Sequence, residues 1–231
     1  MIYLGIDTSN SPLALALIED GKVLIEETSN LKINHSLTAM PAIEEMMKKA
    51  KVAPADLTHI AVAEGPGSYT GVRIGLTIAK TLAWSLKIPL HPVSSLKVLA
   101  ANGQGFEGLV CPLMDARRGT AFIGLYEGSS LIPVIGDQHS DVKEFLLKVK
   151  EFNRPVLFTG MDVSLHEALI SEVLGETAHF SGMQNRLPRA SNLILLAQES
   201  PKSNVHHAVP EYRRITEAEA NYNKAQEGQP L

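Results

Sequence analysis

The sequence predicts an α/β fold in two halves, each with the same order of secondary-structure elements. Short aliphatic and β-branched runs indicate strands, and longer segments with apolar residues three and four positions apart indicate helices. Each half opens on antiparallel strands and continues with a helix, a strand and a helix. This is a weak internal repeat in element order, without a matching sequence period. The chain has 231 residues, enough for one large α/β domain or two small ones.

The first half opens with a predicted three-stranded antiparallel meander. Residues 2–7 and 13–18 are two apolar runs, and residues 23–26 are the returning strand. Asp20 and Gly21 lie between the second and third runs, where glycine accepts the positive φ of a tight hairpin turn.

A predicted helix follows the meander. Its apolar positions recur at spacings of three and four, and they are Leu37, Met40, Ile43, Met47 and Ala50. Either Asn34 or Ser36 is suited to cap its N-terminus. Pro41 either kinks this helix or marks its true first turn, and the sequence leaves both alternatives open.

A second strand and a long helix complete the core of the first half. Residues 60–63 are a short buried strand, and a helix over residues 69–86 begins after a glycine-rich loop with Ser68 as its cap. A further strand spans residues 88–93, and Ser94 begins a helix that ends near residues 102–103.

The second half repeats this order after a junction. Residues 104–108 are rich in glycine and polar groups, so we expect one lobe over residues 1–104 and another over 105–231. Strands are predicted at 109–114, 121–126, 132–135 and 156–159, and helices at about 141–150, 165–174 and 191–199. The polar tail after about residue 218 is expected to fray.

Composition and charge narrow the class of protein. Hydrophobic residues make up 45% of the chain and charged residues 20%, which excludes a disordered or low-complexity protein. The net charge is −4, and neither half has an excess of basic residues. The chain therefore lacks the electrostatic footprint of a protein that binds nucleic acid on its own, although a local basic patch on one face remains open.

The remaining compositional features predict a cytoplasmic protein. Cys111 is the single cysteine and lies in an apolar run, which favours a small buried hydrophobe over a reactive thiol. The longest apolar candidate for a membrane span is interrupted by Lys80 and Lys87, and the first residues indicate a strand and no signal peptide.

The most specific motif lies between a predicted strand and the long helix. It reads Gly65-Pro66-Gly67-Ser68-Tyr69-Thr70-Gly71-Val72-Arg73-Ile74-Gly75. A glycine-rich turn before a helix N-terminus can expose backbone N–H groups to an anion such as phosphate. The motif is neither a Walker A loop nor a dinucleotide fingerprint, and a tight turn with close helix packing is the slightly favoured alternative.

The long helix carries a smooth face that suggests close contact with another backbone. Small residues recur every fourth position, at Gly71, Gly75, Ala79 and Ala83, beside an apolar ridge of Ile74, Ile78, Leu82 and Leu86. Two glycines in a helix cost about 1 kcal/mol each relative to alanine, so packing within the fold or between chains must compensate. The first helix is rich in methionine, which favours adaptable contact surfaces, and the helix pair is a candidate interface.

Other chemistry-bearing residues do not form a catalytic set. Asp7, Thr8 and Ser9 end the first strand, where they can position a metal-bound phosphate or make local turn hydrogen bonds, the second alternative being favoured. The eight histidines show no metal-ligand spacing, and neither a zinc-protease motif nor a nucleophile elbow is present, so we expect no metal site and no catalytic residues.

In sequence order, these residues resemble the TsaB family, the bacterial dimerisation subunits of the tRNA threonylcarbamoyladenosine synthesis complex. The resemblance covers essentially the whole chain. It runs through residues 5–9, His35 with Leu37 and Pro41, the motif at 65–75, residues 114–118 and the pattern Pro210, Tyr212, Arg214.

The resemblance implies an actin-like, sugar-kinase-like fold of two βββαβα lobes. It also implies a non-catalytic scaffold that binds the transferase TsaD through helices of the N-terminal lobe and works with the ATPase TsaE. The modified base is the adenosine beside the anticodon in tRNAs that read codons starting with A. The chain would meet tRNA indirectly and no membrane, and would form homodimers when alone.

The implied site residues fall into two groups. The partner interface comprises His35, Leu37, Met40, Ile43, Met47, Gly71, Ile74, Gly75, Ile78, Ala79 and Leu82. A vestigial loop for nucleotide or phosphate comprises Asp7, Thr8, Ser9, Gly65, Gly67 and Ser68, with ATP or ADP the expected ligand within the complex. On this interpretation Gly75→Leu would prevent heterodimer formation and leave the monomer folded.

The chain departs from the catalytic paralogue in its metal ligands. The first helix keeps only His35 of a histidine pair, and residues 93–97, Val-Ser-Ser-Leu-Lys, stand where the paralogue has a second pair. Without those ligands a metal cannot be held in the same way. The alternatives are an autonomous ATP-dependent kinase or ATPase of the same fold and, ranked last, a glycoprotease-type peptidase.

Overall fold

The computed structural model describes residues 1–31, 34–200 and 205–213, which form two five-stranded sheets. The strands of the first sheet are β1 (Ile2–Asp7), β2 (Leu13–Glu19), β3 (Lys22–Ser29), β4 (His59–Gly65) and β5 (Leu90–Ser94). Those of the second sheet are β6 (Leu109–Asp115), β7 (Thr120–Glu127), β8 (Pro133–Asp141), β9 (Val156–Thr159) and β10 (Ala178–Phe180).

Six α-helices connect and cover these sheets in the described part of the chain. They are α1 (His35–Ala50), α2 (Tyr69–Leu86), α3 (Ser95–Ala100), α4 (Val142–Lys150), α5 (Val163–Leu174) and α6 (Ala190–Glu199). None of the described helices is both long enough and apolar enough to cross a membrane.

The two sheets have the same connectivity. The first has the strand order β3-β2-β1-β4-β5 and the second β10-β9-β6-β7-β8, so β6 corresponds to β1. In each sheet the three leading strands pair antiparallel, and the later strands pair parallel to the first. The predicted two-half α/β fold is confirmed, with β10 added as a strand that the sequence analysis did not identify.

Several local predictions are also settled by the structure. Asp20 and Gly21 both have positive φ in the β2–β3 turn. Asn34 caps α1 by accepting a hydrogen bond from the Ser36 N–H, and Pro41 lies inside the helix. β8 extends to residue 141, six residues beyond the predicted end. The tail after residue 218 lies outside the described residues.

The two faces of β2 belong to two different hydrophobic cores and differ in the size of their side chains. Leu13, Leu15 and Leu17 face the cluster that α1 and α2 cover, whereas Ala14 and Ala16 face a cluster that includes α6. Because successive side chains of a strand point to opposite faces, the leucine–alanine alternation makes one face bulky and the other smooth.

The last helix of each half packs against the sheet of the other half. Helix α6 contacts all five strands of the first sheet, and α3 contacts β6 and β7 of the second. Glu26 on β3 anchors α6, because its carboxylate accepts hydrogen bonds from Arg189 and from the backbone and hydroxyl of Ser191. These bonds lower the pKa of Glu26 against the opposing effect of its burial. The division of the chain near residue 104 stays a prediction.

Candidate functional site

The cleft between the two sheets brings together residues that are far apart in sequence. It has a volume of about 640 Å³, and its lining includes Ser68, Tyr69, Asp115, Arg117, Tyr212 and Arg213. The strand β6 ends at this cleft with Asp115, and Asn10, three residues after the end of β1 at Asp7, also lines it.

Asp7 makes the local turn hydrogen bonds that the sequence favoured. Its Oδ1 accepts from the Ser9 N–H at 2.9 Å and from the Ser9 hydroxyl at 2.7 Å. Its Oδ2 has no hydrogen-bond partner among the described residues. Burial raises the pKa of this carboxyl, against the lowering effects of the Ser9 hydrogen bonds and of nearby His35.

The glycine-rich loop between β4 and α2 packs against the chain's own backbone. A Cβ at Gly67 would lie 2.1 Å from the Ser9 carbonyl oxygen, and one at Gly65 would lie 2.7 Å from that of Glu211. The Ser68 N–H donates to the Ser9 carbonyl at 2.7 Å, and the Ser68 hydroxyl accepts from the Gly71 N–H as the helix cap. The Ser68 N–H and hydroxyl are therefore both engaged within the chain. Close packing explains the glycines, and nucleotide binding stays a prediction.

The small-residue face of α2 also packs within the chain. A Cβ at Gly71 would lie 2.2 Å from the Thr8 carbonyl oxygen, and one at Gly75 would lie 2.4 Å from Thr8 Oγ1. The Thr8 hydroxyl donates to the Gly71 carbonyl at 2.7 Å. The β1–β2 connection therefore lies directly on α2, and the glycines permit this approach.

Five residues predicted for the partner interface lie inside the chain and not at its surface. Gly71, Gly75, Ala79, Ile43 and Met47 are buried within the fold. The two glycines lie against Thr8 of the same chain, whereas Ile43, Met47 and Ala79 belong to the hydrophobic core that covers the first sheet, so the burial of these five residues does not support their predicted contact with a partner.

The other predicted interface residues lie at the surface of α1 and α2. Leu37 is 72% exposed and Met40 is 45% exposed. His35, Ile74, Ile78 and Leu82 are half-buried, and the His35 ring bonds the Asn10 carbonyl oxygen at 3.0 Å. We refer to Leu37, Met40, Ile74, Ile78 and Leu82 together as the helix face, a set of exposed and half-buried apolar side chains on two neighbouring helices.

The C-terminal segment of residues 205–213 crosses the first half beside the cleft, which the sequence analysis did not predict. The Lys80 ammonium donates to the buried Ala208 carbonyl at 2.7 Å, and the Glu211 N–H donates to the Glu64 carbonyl at 2.8 Å. Tyr212 stacks on Tyr69 with ring centroids 5.0 Å apart. No periodic pattern marks this segment, so only the resemblance at Pro210 and Tyr212 pointed to it.

Glu64 lies beneath this segment and gives a testable pH dependence. Its pKa is raised to about 7, first by burial and then by the Glu211 carboxylate, with Arg213 opposing. A carboxyl whose pKa is higher in the folded chain stabilises that state fully below its ordinary pKa, and loses this effect as the pH rises through about 7. We expect Glu64→Gln to gain stability relative to the wild type between pH 5 and pH 8 in urea unfolding. A difference that does not change with pH would contradict this assignment.

The second half carries a carboxylate at the cleft that the sequence analysis missed. Asp115 Oδ1 bonds His166 Nε2 at 3.0 Å, and its Oδ2 accepts from the Arg117 N–H at 3.1 Å. The second bond repeats the one between Asp7 and Ser9. The signal that could have found it is an aspartate that ends the first strand of each half, Asp7 in β1 and Asp115 in β6.

Two further features concern reactive and metal-binding side chains. Within residues 1–31, 34–200 and 205–213, no three His, Cys, Asp or Glu side chains are grouped so as to hold a metal ion. Cys111 is buried, and this burial raises the pKa of its thiol well above the ordinary value, so it is the small hydrophobe that the sequence favoured.

Comparison with solved structures identifies the fold. A Pseudomonas aeruginosa protein described as similar to the peptidase YeaZ aligns with a TM-score of 0.75 at 23% identity, over 92% of this chain and 99% of that one. The ROK hexokinase of Thermus thermophilus aligns with a TM-score of 0.50 at 12% identity, over 87% of this chain and 98% of that one. The fold is therefore the actin-like, sugar-kinase-like fold that the resemblance implied.

Comparison with sequences identifies the family. The profile of the TsaD family, tRNA N6-adenosine threonylcarbamoyltransferase, matches residues 22–225. The transferase of Thermomicrobium roseum is 29% identical over only 42% of this chain and 31% of its own length. The tRNA threonylcarbamoyladenosine biosynthesis protein TsaB of Bacillus subtilis is instead 48% identical over 98% of this chain and 100% of its own length. The full-length match decides between the two families: this chain belongs to the TsaB family.

Proposed function

We propose that this chain is a non-catalytic subunit in the biosynthesis of threonylcarbamoyladenosine in tRNA, and that it binds the transferase TsaD through its helix face. It would act in the cytoplasm together with the ATPase TsaE. The name of its full-length relative, a tRNA threonylcarbamoyladenosine biosynthesis protein, supports the pathway. The partners are inferred from the family resemblance and from the surface described above.

The exposed helix face is the observation that carries the proposal. On α1, most of the Leu37 surface and nearly half of the Met40 surface are exposed. Ile74, Ile78 and Leu82 lie half-buried on the adjacent helix α2. Clustered apolar side chains on a surface favour a protein partner, and methionine adapts to different partners. The same face would join two copies of this chain when the transferase is absent.

The proposed lack of catalytic activity is supported by the roles of Ser94 and Ser95, which stand where the catalytic paralogue has its second pair of histidines. The Ser94 hydroxyl caps α3 by accepting from the Lys97 N–H, and the Ser95 hydroxyl accepts from the Gly65 N–H. These serines have structural roles where the paralogue has metal-binding histidines. The loop that would hold a nucleotide phosphate bonds the Ser9 carbonyl instead.

A variant on the helix face tests the proposed partner. We expect Met40→Glu to weaken binding to the transferase by at least about 2 kcal/mol, roughly thirtyfold, because it places a charge in an apolar contact. Binding is measured by analytical ultracentrifugation of the mixed subunits, and tRNA modification is measured in the reconstituted system. Leu165→Glu is the matched control, since Leu165 is 68% exposed but lies on α5 in the other half.

The outcomes separate the proposed scaffold from an autonomous enzyme. Binding and tRNA modification that depend on Met40 but not on Leu165 support the scaffold. Equal binding by both variants would exclude the helix face. Micromolar binding and turnover of ATP by the isolated chain, measured by titration calorimetry with magnesium, would favour the alternative of a kinase or ATPase.

A further inference from the structure

We propose that the mouth of the cleft between the two sheets binds single-stranded RNA, with the exposed Tyr69–Tyr212 pair stacking on a base and Arg117 contacting a phosphate. The proposal rests on the proposed function, which brings tRNA to the complex, and adds a direct contact between this chain and the RNA. It assigns a role to a surface where exposed aromatic and arginine side chains lie together beside a cavity.

The aromatic part of this site is already arranged for stacking. Tyr69 and Tyr212 are 53% and 44% exposed, and their rings stack at an interplanar angle of 27°. The Arg73 guanidinium lies 4.0 Å from the Tyr69 ring centroid, and its Nε donates to the Tyr212 hydroxyl. Exposed aromatic rings supported by arginine are the platforms on which single-stranded nucleic acids stack their bases.

The arginine part of the site lies on the other half of the molecule. Arg117 and Arg118 occupy the β6–β7 turn with φ of +68° and +54°, in the left-handed region that glycine adopts without steric cost. Both side chains are exposed, and Arg117 has no carboxylate partner among the described residues.

The cavity between these two parts fits a nucleobase. Its volume of about 640 Å³ lies in the range of small-molecule sites, and Met114, Val72 and Phe122 provide apolar lining. Two carboxylates also line it. Asp115 is bonded to His166 and to the Arg117 backbone, and Glu211 pairs with Arg213. These acidic groups oppose a phosphate deep in the cleft, but they can accept hydrogen bonds from the amino groups of a base.

Because the chain has a net charge of −4, RNA binding is best measured with this chain in complex with the transferase. A chain with this charge binds RNA weakly alone, whereas a partner that holds the tRNA makes a second contact effectively intramolecular. The full chain is therefore mixed with the transferase, and complex formation is verified by ultracentrifugation before RNA is added. The probe is a fluorescent RNA hairpin with the sequence of a tRNA anticodon stem and loop, followed by anisotropy.

We expect Arg117→Glu and Tyr212→Ala each to weaken binding of this hairpin about tenfold, the change typical of one lost phosphate contact or one lost stacked base. Arg117→Glu should also reduce the slope of log Kd against log salt concentration by about one. Tyr212→Phe keeps the ring and should bind within about twofold of the wild type. Lys22→Glu is the matched charge control, since Lys22 lies at the opposite end of the first sheet from Asp7.

The remaining outcomes overturn the proposal. Equal RNA affinity of the Arg117→Glu and Lys22→Glu complexes excludes the RNA contact and leaves the proposed function intact. Loss of complex formation by Arg117→Glu would make this rim a protein-binding surface. Displacement of RNA by free ATP at micromolar concentration would make the cleft a nucleotide site. Failure of the wild-type chain to bind the transferase would instead contradict the proposed function itself.

Discussion

Gly75→Leu is expected to destabilise the isolated chain by about 3 kcal/mol or more, with unfolding as the primary effect and loss of any partner as its consequence. A Cβ at this position would lie 2.4 Å from Thr8 Oγ1, whose hydroxyl is held by the Gly71 carbonyl. The larger side chain must therefore displace the β1–β2 connection from α2. Replacing a helical glycine recovers only about 1 kcal/mol of helix propensity. Urea unfolding followed by circular dichroism measures the difference.

Thr77→Leu is the control for this prediction. Thr77 lies two residues further along α2 at an exposed position, so the same side chain is introduced without a clash. We expect its stability to remain within about 0.5 kcal/mol of the wild type. A Gly75→Leu monomer as stable as the Thr77→Leu monomer would restore the sequence expectation that Gly75 faces a partner.

Ile194→Ala is expected to destabilise the chain by about 3 kcal/mol and to loosen the first sheet, although Ile194 belongs to the second half of the sequence. Its side chain is fully buried, and its Cγ1 lies 2.9 Å from the position that a Cβ on Gly5 would occupy. Removing three carbons leaves a cavity above β1. Amide hydrogen exchange should accelerate in β1 and β2 before it does so in β7.

Leu195→Ala provides the comparison on the same helix. Leu195 is 51% exposed, so the loss of similar atoms should cost less than about 0.5 kcal/mol. Faster exchange confined to the second sheet in Ile194→Ala would show that α6 does not stabilise the first sheet.

Much of the fold follows from local sequence, because strand and helix periodicity and capping residues act over a few positions. Ser68 caps the helix that it was predicted to cap, Asn34 is the cap among the two candidates Asn34 and Ser36, and α2 spans the predicted residues 69–86. The exchange of α3 and α6 between the sheets could not be predicted in this way. An amphipathic helix has the same pattern of apolar residues whichever sheet it covers, so the sequence of α6 alone does not indicate against which sheet it packs.

The candidate site was predicted less well, for a related reason. The glycines of α2 correctly indicated the close approach of another backbone, but spacing does not distinguish Thr8 of the same chain from a second protein. The C-terminal segment reaches the cleft through single contacts, such as Tyr212 on Tyr69, which have no local pattern. By contrast, the exposure of Leu37 and Met40 agrees with their predicted place on a contact surface.

The packing of α6 on the first sheet has a consequence for how the chain folds as it is synthesised. The strand β5 ends at residue 94 and α6 begins at residue 190, so about 96 residues are translated between them. At a translation rate of roughly 5–20 residues per second, α6 is synthesised about 5–20 s after the last strand of the first sheet. The uncovered face carries the small residues Ala14, Ala16 and Ala61 together with Tyr3, Ile18 and Val93, whereas the leucines of β2 are covered early by α1 and α2. Until α6 is synthesised, this face of the first sheet therefore has no cover from its own chain, and its alanines limit the apolar area that other chains can contact.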